Sequence, residues 1–528
     1  MLEEIDIITN DPIIDLALDT AKINKQMIVF VNTKKSAEAT AEKIASKIKL
    51  TEKEQKEYLQ ISEEILKALS TPTKQCRRLS KIIEKGIAFH HSGLHSKQRE
   101  LIEQNFKEGK IKTICATPTL AAGVDLPAFR VVIRDLKRYG GSWGMTDIPV
   151  LEYEQQAGRA GRPKYDKVGE AICISDSVEE KEKIWHQYIL GEPEEILSKL
   201  AVEPILRTYI LSLVATGYIS SVTGIKSFMS KTFYAHQYKD MARLNSLLDK
   251  MISKLEEWEF ITLESEKEKG FVSASKIKKD SEIKSTKLGQ RVAELYLDPY
   301  TAHYLLVSMQ KGSSKKEIPE FSVLQMICWT LEMRPLVRTR KKDLKKIEEY
   351  IVKYEDELLT FKPDEYSEEY YEFLDSMNTA ITLDAWMNET QEDKIFEEHN
   401  VTPGELNAKL DRAEWLLHSC HELSKIQGFR EVGKAILKTK TRLKYGVKEE
   451  LLPLLKLKGI GRIRARKLFS NGIKDLGQVK KAEVTIIAQL IGKSVALDIK
   501  KQVGQDLDAE KVQISPKKRK GQISLEKF

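Results

Sequence analysis

Neither a glycine-rich G-x-x-x-x-G-K-[ST] loop nor an acidic D-E-x-H box occurs anywhere in the 528 residues. Two common devices for holding phosphates and their metal ion are therefore missing from this sequence. Cysteine is also scarce: Cys76, Cys115, Cys173, Cys328 and Cys420 are scattered, with no C-x-x-C pair. That pattern excludes a disulfide framework and fits a reduced, intracellular protein without structural zinc. The local group His418, Cys420 and His421 lacks a second ligand pair, so no metal site is expected there. No apolar run approaches the roughly 20 residues needed to span a bilayer, which argues against a membrane partner. The first ten residues, MLEEIDIITN, have neither a basic n-region nor an apolar h-region, so a cytoplasmic location is expected.

Hydrophobic residues make up 41% and charged residues 31% of the chain, which places it among soluble proteins of several domains. The net charge of +8 is unevenly distributed. Residues 426–481 carry sixteen Lys and Arg against four Asp and Glu, and residues 511–528 carry six against one. The rest of the chain is therefore mildly acidic. A positive end on such a body is the footprint of a polyanion-binding region; the alternative is a solvated basic surface.

Residues 1–185 alternate strand and helix signals. Met27–Val31, Ile87–His90, Thr113–Ala116, Val131–Arg134 and Ala171–Ile174 read as strands of a parallel sheet with crossover helices. Loops at strand ends carry function in such sheets, and His90–Leu94 and Thr117–Thr119 lie at two of them. Residues 186–300 read as short helices followed by strands at Phe260–Leu263 and Phe271–Val272 around a polar turn, the pattern of a winged helix. Residues 301–425 read as all-helical, 426–505 as a basic helical end, and 506–528 as a flexible basic tail.

The stretch Gln156-Ala157-Gly158-Arg159-Ala160-Gly161-Arg162 holds two arginines three apart among small residues. Two guanidinium forks at that spacing suit a triphosphate gripped across a cleft, where charge develops as the terminal phosphoryl group leaves. With ATPTLAAGVDLPA at 116–128, this stretch resembles motifs VI and V of superfamily-2 helicases. Further segments extend the likeness in order: IVFVNTKKSAEATAEKIA (28–45), AFHHSGL (88–94), LAVEPILRTYILSLVATGYI (200–219), TKLGQRVAELYLDPYTA (286–302), AEWLLH (413–418) and YGVKEELLPLLKLKGIGRIRARKLF (445–469). Together they resemble the archaeal DNA-repair helicases related to HelQ, in the Ski/Brr group.

The resemblance implies an α/β RecA-like lobe (1–185), a winged helix (186–300), a helical ratchet bundle (301–425) and a helix-hairpin-helix DNA-binding end (426–505). It also implies that a first RecA-like lobe, which in the family precedes these domains, is supplied separately or lost. That lobe would hold most of the ATP and Mg2+. In the lobe present here, Arg159 and Arg162 are expected as catalytic arginine fingers, with Gln156, Gly123 and Asp125 beside the nucleotide. Thr117 is expected to contact a DNA phosphate; His90 and His91 are expected to shape the loop after their strand, with His91 near the DNA path, and a general-base role for either is the less favoured reading. Tyr139 and Trp143 sit in a turn flanked by β-capable segments, which is either a strand-separating wedge or a plain loop.

Trp415 stands where the family stacks a base, and Arg412 lies nearby. The family's arginine two turns earlier is Ala408 here, so base stacking and core packing both stand for Trp415. Gly459-Ile460-Gly461 with Arg462 and Arg464 reads as a hairpin cradling DNA phosphates without sequence preference. The last residues carry Gln522, Leu525 and Phe528 in the spacing of a sliding-clamp (PCNA) binding peptide, though the second terminal aromatic is missing. The expected function is the C-terminal portion of an ATP-dependent 3′–5′ DNA helicase on single-stranded and forked DNA. The alternatives are a non-catalytic fork-binding adaptor and an RNA helicase fragment.

Overall fold

The computed structural model describes residues 5–505, apart from 70, 140–143, 162–165, 167 and 265–281. It divides into two compact units. The first runs to Leu197 and takes in Phe396–Ala408; the second takes in Ser198–Ile395 and the chain from Lys409 onward.

The first unit is built on five parallel strands: β1 (Met27–Phe30), β2 (Ile87–His90), β3 (Thr113–Ala116), β4 (Arg130–Ile133) and, after a small hairpin of β5 (Lys137–Tyr139) and β6 (Met145–Asp147), β7 (Glu170–Cys173). Their order across the sheet is β2-β3-β1-β4-β7, with Met27 level with both Thr113 and Arg130. Every residue of β1 to β4 is buried. Such continuous burial is what helices on both faces of a parallel sheet demand. The strands at 130 and 170 each begin one residue earlier than the apolar pattern indicates. The added residues are Arg130 and Glu170, charged residues that pair with each other.

Helices α1 (Pro12–Lys22), α2 (Lys34–Ala45), α3 (Glu52–Lys67), α4 (Lys74–Ile83) and α5 (Ser96–Lys107) flank the strands. Local signals fix their starts. The Asp11, Thr33 and Thr73 side chains each accept a backbone N–H of their own first turn, and Thr51 with Glu54 forms a reciprocal capping box. Helices α6 (Thr119–Gly123), α7 (Val150–Ala157) and α8 (Val178–Ile184) follow.

Arg130 is 2% exposed and locks the sheet to α1. Its guanidinium donates to Glu170 at 2.6 Å, to Asp19 at 2.8 Å, to the Thr20 hydroxyl at 2.8 Å and to the Leu16 carbonyl at 3.2 Å. A buried charge so fully bonded is costly to break, at about 3–5 kcal/mol.

In the second unit, helices Glu203–Ala215, Val222–Met229 and Met241–Glu257 precede the antiparallel pair β8 (Ile261–Glu264) and β9 (Glu282–Ser285). The partner of β8 therefore differs from the expected Phe271–Val272, which lies outside the described residues. Glu264, expected in a turn, extends the strand and faces Glu282. The helices Pro299–Ser313, Glu320–Cys328, Glu368–Met387, the part of Pro403–Gln427 from Lys409 onward, and Arg430–Tyr445 follow. Val432, Ile436 and Leu443 of the last helix share the core of the preceding helices. The helical core thus runs past residue 425; the lysines on the outer face of that helix masked its apolar stripe. A separate small core begins at Val447 and gathers Leu451, Leu454, Leu468, Ile487 and Ile499. No described helix is long and apolar enough to cross a membrane.

Candidate functional site

The carboxyl ends of β1, β2 and β3 bring three loops of the first unit together. After β3, the chain turns through α6 and then runs extended to Ala128. There it meets the arginine-bearing stretch in a short parallel bridge between Ala128 and Ala160. The Ala128 N–H donates to the Arg159 carbonyl at 2.9 Å, and the Gly161 N–H donates to the Ala128 carbonyl at 2.7 Å. Gly161 has φ of +89°, and a Cβ on the neighbouring Gly169 would fall 2.3 Å from the Gly161 nitrogen. Both glycines are needed for this close pass. Segments expected to face one nucleotide are thus joined through their backbones.

Helix α7 delivers the arginine stretch, and its start is capped from a distance. The Glu194 carboxylate accepts the N–H of Val150 at 2.7 Å and of Leu151 at 3.1 Å. Those bonds hold its carboxyl below the usual range. Sequence reading missed Glu194, because the capping residue comes more than forty positions after the helix it caps.

Two side chains depart from expectation here. Arg159 does not reach outward: it donates to the Ala121 carbonyl of α6, and its guanidinium stands 3.5 Å from the Asp125 carboxylate. It is 24% exposed, whereas Asp125 is 93% exposed. Gln156, expected at the nucleotide, is 1% exposed, and its Oε1 has no partner among the described residues. It lies on the buried side of α7, with Val150 and Tyr153. Gly123 is exposed, and a Cβ there would meet nothing within 4 Å, so the space above it is open. Arg162 lies outside the described residues.

His91 also needs correction as a DNA contact. It is fully buried; its Nδ1 accepts the Gly93 N–H at 3.1 Å and its Nε2 sits 3.3 Å from the Glu38 carboxylate. Burial pushes the Glu38 carboxyl up, but hydrogen bonds from His91 and Gln75 and the nearby Arg78 guanidinium hold it below its ordinary value. His91 therefore shapes the loop, and His90 is likewise buried against Glu103 at 2.8 Å. Thr117 is nearly buried, its hydroxyl 2.9 Å from that of Thr119. Thr119, exposed at the start of α6, carries the hydroxyl that solvent reaches. The loop after β2 has a second neighbour: the Gly404 N–H donates to the Gly93 carbonyl at 3.0 Å, and Lys34 pairs with Glu405. A Cβ on Gly404 would lie 2.3 Å from the Ser92 carbonyl oxygen.

The β5–β6 hairpin pairs Lys137 with Asp147 and Tyr139 with Met145. Tyr139 and Met145, the facing strand ends, are 70% and 60% exposed and present apolar surface to solvent. Trp143 lies outside the described residues.

In the second unit, Trp415 is half-buried and packs on the helical core, its indole N–H donating to the Leu295 carbonyl at 3.1 Å. Arg412 donates to the Arg334 carbonyl at 2.6 Å, and Lys409 to the Pro335 carbonyl at 2.6 Å. Both cations hold the turn at 334–335.

Gly459, with φ of +81°, makes the turn that only glycine takes readily, and Gly461 caps helix Arg462–Ser470. The helix expected before this hairpin consists of two short 3-10 turns, Glu449–Leu451 and Leu454–Lys456. Arg462 is not presented to a ligand: its guanidinium lies 4.7 Å over the Trp386 ring and donates to the Thr390 carbonyl at 2.9 Å. Arg466 forks onto Glu389 at 2.6 and 2.8 Å. Among the described residues, Arg464 donates to the Gly459 carbonyl alone, at 2.8 Å, and stays exposed. The tail residues Gln522, Leu525 and Phe528 lie outside the described residues. Among the described residues, no group of three His, Cys, Asp or Glu side chains could hold a metal ion.

Residues 9–164 match the helicase conserved C-terminal domain, and residues 321–446 match domain 4 of archaeal helicases. The ATP-dependent DNA helicase Hel308 of Pyrococcus horikoshii is 39% identical over 514 residues, covering 96% of this chain and 67% of the relative. The proteins of the same name from Methanocella arvoryzae and Methanococcus vannielii are each 36% identical, and the matches cover 65% and 69% of their lengths. The chain spans about two thirds of the length of these curated relatives. Two matching domains in order and this identity across nearly the whole chain place it: the chain belongs to the Hel308 helicase family.

Proposed function

We propose that this chain supplies the second motor lobe and the DNA-handling domains of an ATP-dependent helicase that moves 3′ to 5′ on single-stranded DNA and opens forks. The observation that carries this reading is the backbone bridge between the 116–128 segment and the arginine stretch. It makes one rigid corner of two segments that must act on one nucleotide. In that corner Arg162 is the finger that meets the terminal phosphate, a role worth roughly 10³–10⁵ in rate. Arg159 positions it by tying the stretch to α6, and the open space over Gly123 beside Asp125 leaves room for the nucleotide. The phosphate-binding loop and acidic box come from a lobe outside these 528 residues, and with them the Mg2+ ligands.

The exposed hairpin at Tyr139 and Met145 suits a wedge at the fork. Arg464 and its lysine neighbours suit phosphates of the strand leaving the motor, and the tail peptide suits a sliding clamp. The test is reconstitution. The chain alone should show no DNA-stimulated ATP hydrolysis, and should gain it when mixed with a lobe carrying both missing motifs. Stimulated hydrolysis by the chain alone would overturn this reading.

A further inference from the structure

The first unit has a second basic feature, at the amino ends of its strands, away from the motif loops at their carboxyl ends. A cavity of about 450 Å3 opens beside Ile87 and Thr113, the first residues of β2 and β3. Six lysines line it, Lys22, Lys25, Lys47, Lys49, Lys85 and Lys112, against one carboxylate, Glu54. They come from four separate places in the chain: the end of α1, the residues after α2, the turn before β2 and the turn before β3.

Neutralisation is incomplete. Lys22 pairs with Asp6 at 2.9 Å and Lys25 with Asp166 at 2.6 Å. Lys47, Lys49 and Lys85 have no ion pair among the described residues, and the Lys112 ammonium donates to the Asn24 side chain at 3.0 Å. The Glu54 carboxylate is the partner of Thr51 in the capping box of α3, accepting the Thr51 N–H at 2.9 Å and its hydroxyl at 2.7 Å, and it also feels the Lys112 charge. Four cations thus converge on a concave site whose floor includes Leu18, Ile48 and Leu50. A low-dielectric wall sharpens the field of such a cluster. One carboxylate, Glu54, leaves most of this positive charge unbalanced, so the ammonium groups repel one another and the site attracts an anion.

We propose that this cavity binds phosphate groups of a polynucleotide, as a DNA contact separate from the motor path. Lysines on flexible stems meet backbone charge without reading bases, unlike the bidentate forks of arginine. Their spread over four segments fits several successive phosphates better than one small anion. This site shares no residue with the corner that faces the nucleotide, so it stands or falls independently of the motor reading.

Lysine acetylation by a water-soluble acyl ester, read by mass spectrometry on the full chain, tests the site directly. Saturating single-stranded oligonucleotide should protect Lys47, Lys49 and Lys85 while leaving Lys181 of α8 reactive. The charge-reversal variant Lys47→Glu/Lys49→Glu/Lys85→Glu should bind oligonucleotide about tenfold more weakly in 0.1 M salt. Its slope of log affinity against log salt should fall by about 2, as expected for three lost phosphate contacts on a single strand. All three side chains reach solvent, so an unchanged melting curve should show that the variant folds. Inorganic tripolyphosphate separates the sources. If it protects the lysines while oligonucleotide does not, the site is for small phosphates and the proposal fails. Equal protection of Lys181, or an unchanged salt slope, would overturn it as well.

Discussion

The arginines of the first unit and those of the C-terminal end look alike in sequence, and the structure uses them differently. In the first unit, Arg159-Ala160-Gly161 is held by backbone bonds to Ala128, and Arg159 turns inward onto α6. At the C-terminal end, Gly-Ile-Gly-Arg-Ile-Arg-Ala-Arg is held by its side chains. Arg462 stacks on Trp386 and Arg466 forks onto Glu389. Burial holds Arg462 below its ordinary pKa, while the Glu389 and Glu450 carboxylates raise that of Arg466. A run of arginines between glycines therefore counts as a phosphate grip only after the members stacked or ion-paired within the protein are set aside. By that measure Arg464 remains in the second case.

The sharpest way to strain this comparison is to remove the most deeply bonded arginine. Arg130→Ala leaves Asp19 and Glu170 without their cation and should cost about 3–5 kcal/mol, read by urea unfolding of the first unit. Next comes the C-terminal end, where Trp386→Ala should cost about 3 kcal/mol. That change removes the platform for Arg462, the 2.8 Å hydrogen bond to the Leu443 carbonyl and the close packing on Gly446. Arg462→Ala should destabilise in the same direction. Arg464→Ala should leave melting within about 0.5 kcal/mol and lower the salt slope of single-strand binding by about 0.7. If the two arginines exchanged these phenotypes, the division between packing and phosphate contact would be wrong.

The strand pattern was legible because β1 to β4 are mostly apolar and rich in β-branched residues, as a sheet covered on both faces requires. The starts of β4 and β7 were not, since Arg130 and Glu170 look like loop residues until their mutual pairing is seen. The resemblance assigned the 116–128 segment and the arginine stretch to one nucleotide, but neither the bridge between Ala128 and Ala160 nor the side-chain directions could be read from it. Gln156 and Arg159 both lie on the inner side of their turn. His91 was misplaced because its partner, Glu38, comes from α2, more than fifty residues earlier. The limit at 425 failed for a related reason. A lysine-rich outer face made helix Arg430–Tyr445 read as part of the basic end, though Val432, Ile436 and Leu443 pack with the helices before it.

The smallest expected effect concerns a half-exposed pair. Hydrogen bonds from Lys425 and Arg291 hold the Glu422 carboxyl down at about 2. A depressed folded value contributes stability above the ordinary carboxylate range and loses it as pH falls from about 4.5 towards 2. Glu422→Gln should therefore lower stability by less than about 1 kcal/mol at pH 7, with the difference vanishing near pH 2. A difference that persists at pH 2 would show that shape, not charge, is what the pair provides.

The most direct measurement compares Arg159→Ala with Arg162→Ala in DNA-stimulated ATP turnover, each variant supplemented with a lobe that carries the missing motifs, alongside thermal unfolding of each. The account predicts that Arg162→Ala lowers turnover by about 10³ or more while its melting curve stays unchanged. Arg159→Ala should lose turnover together with stability, because the link to the Ala121 carbonyl is gone. Full turnover in Arg162→Ala, with turnover abolished at unchanged stability in Arg159→Ala, would contradict the account.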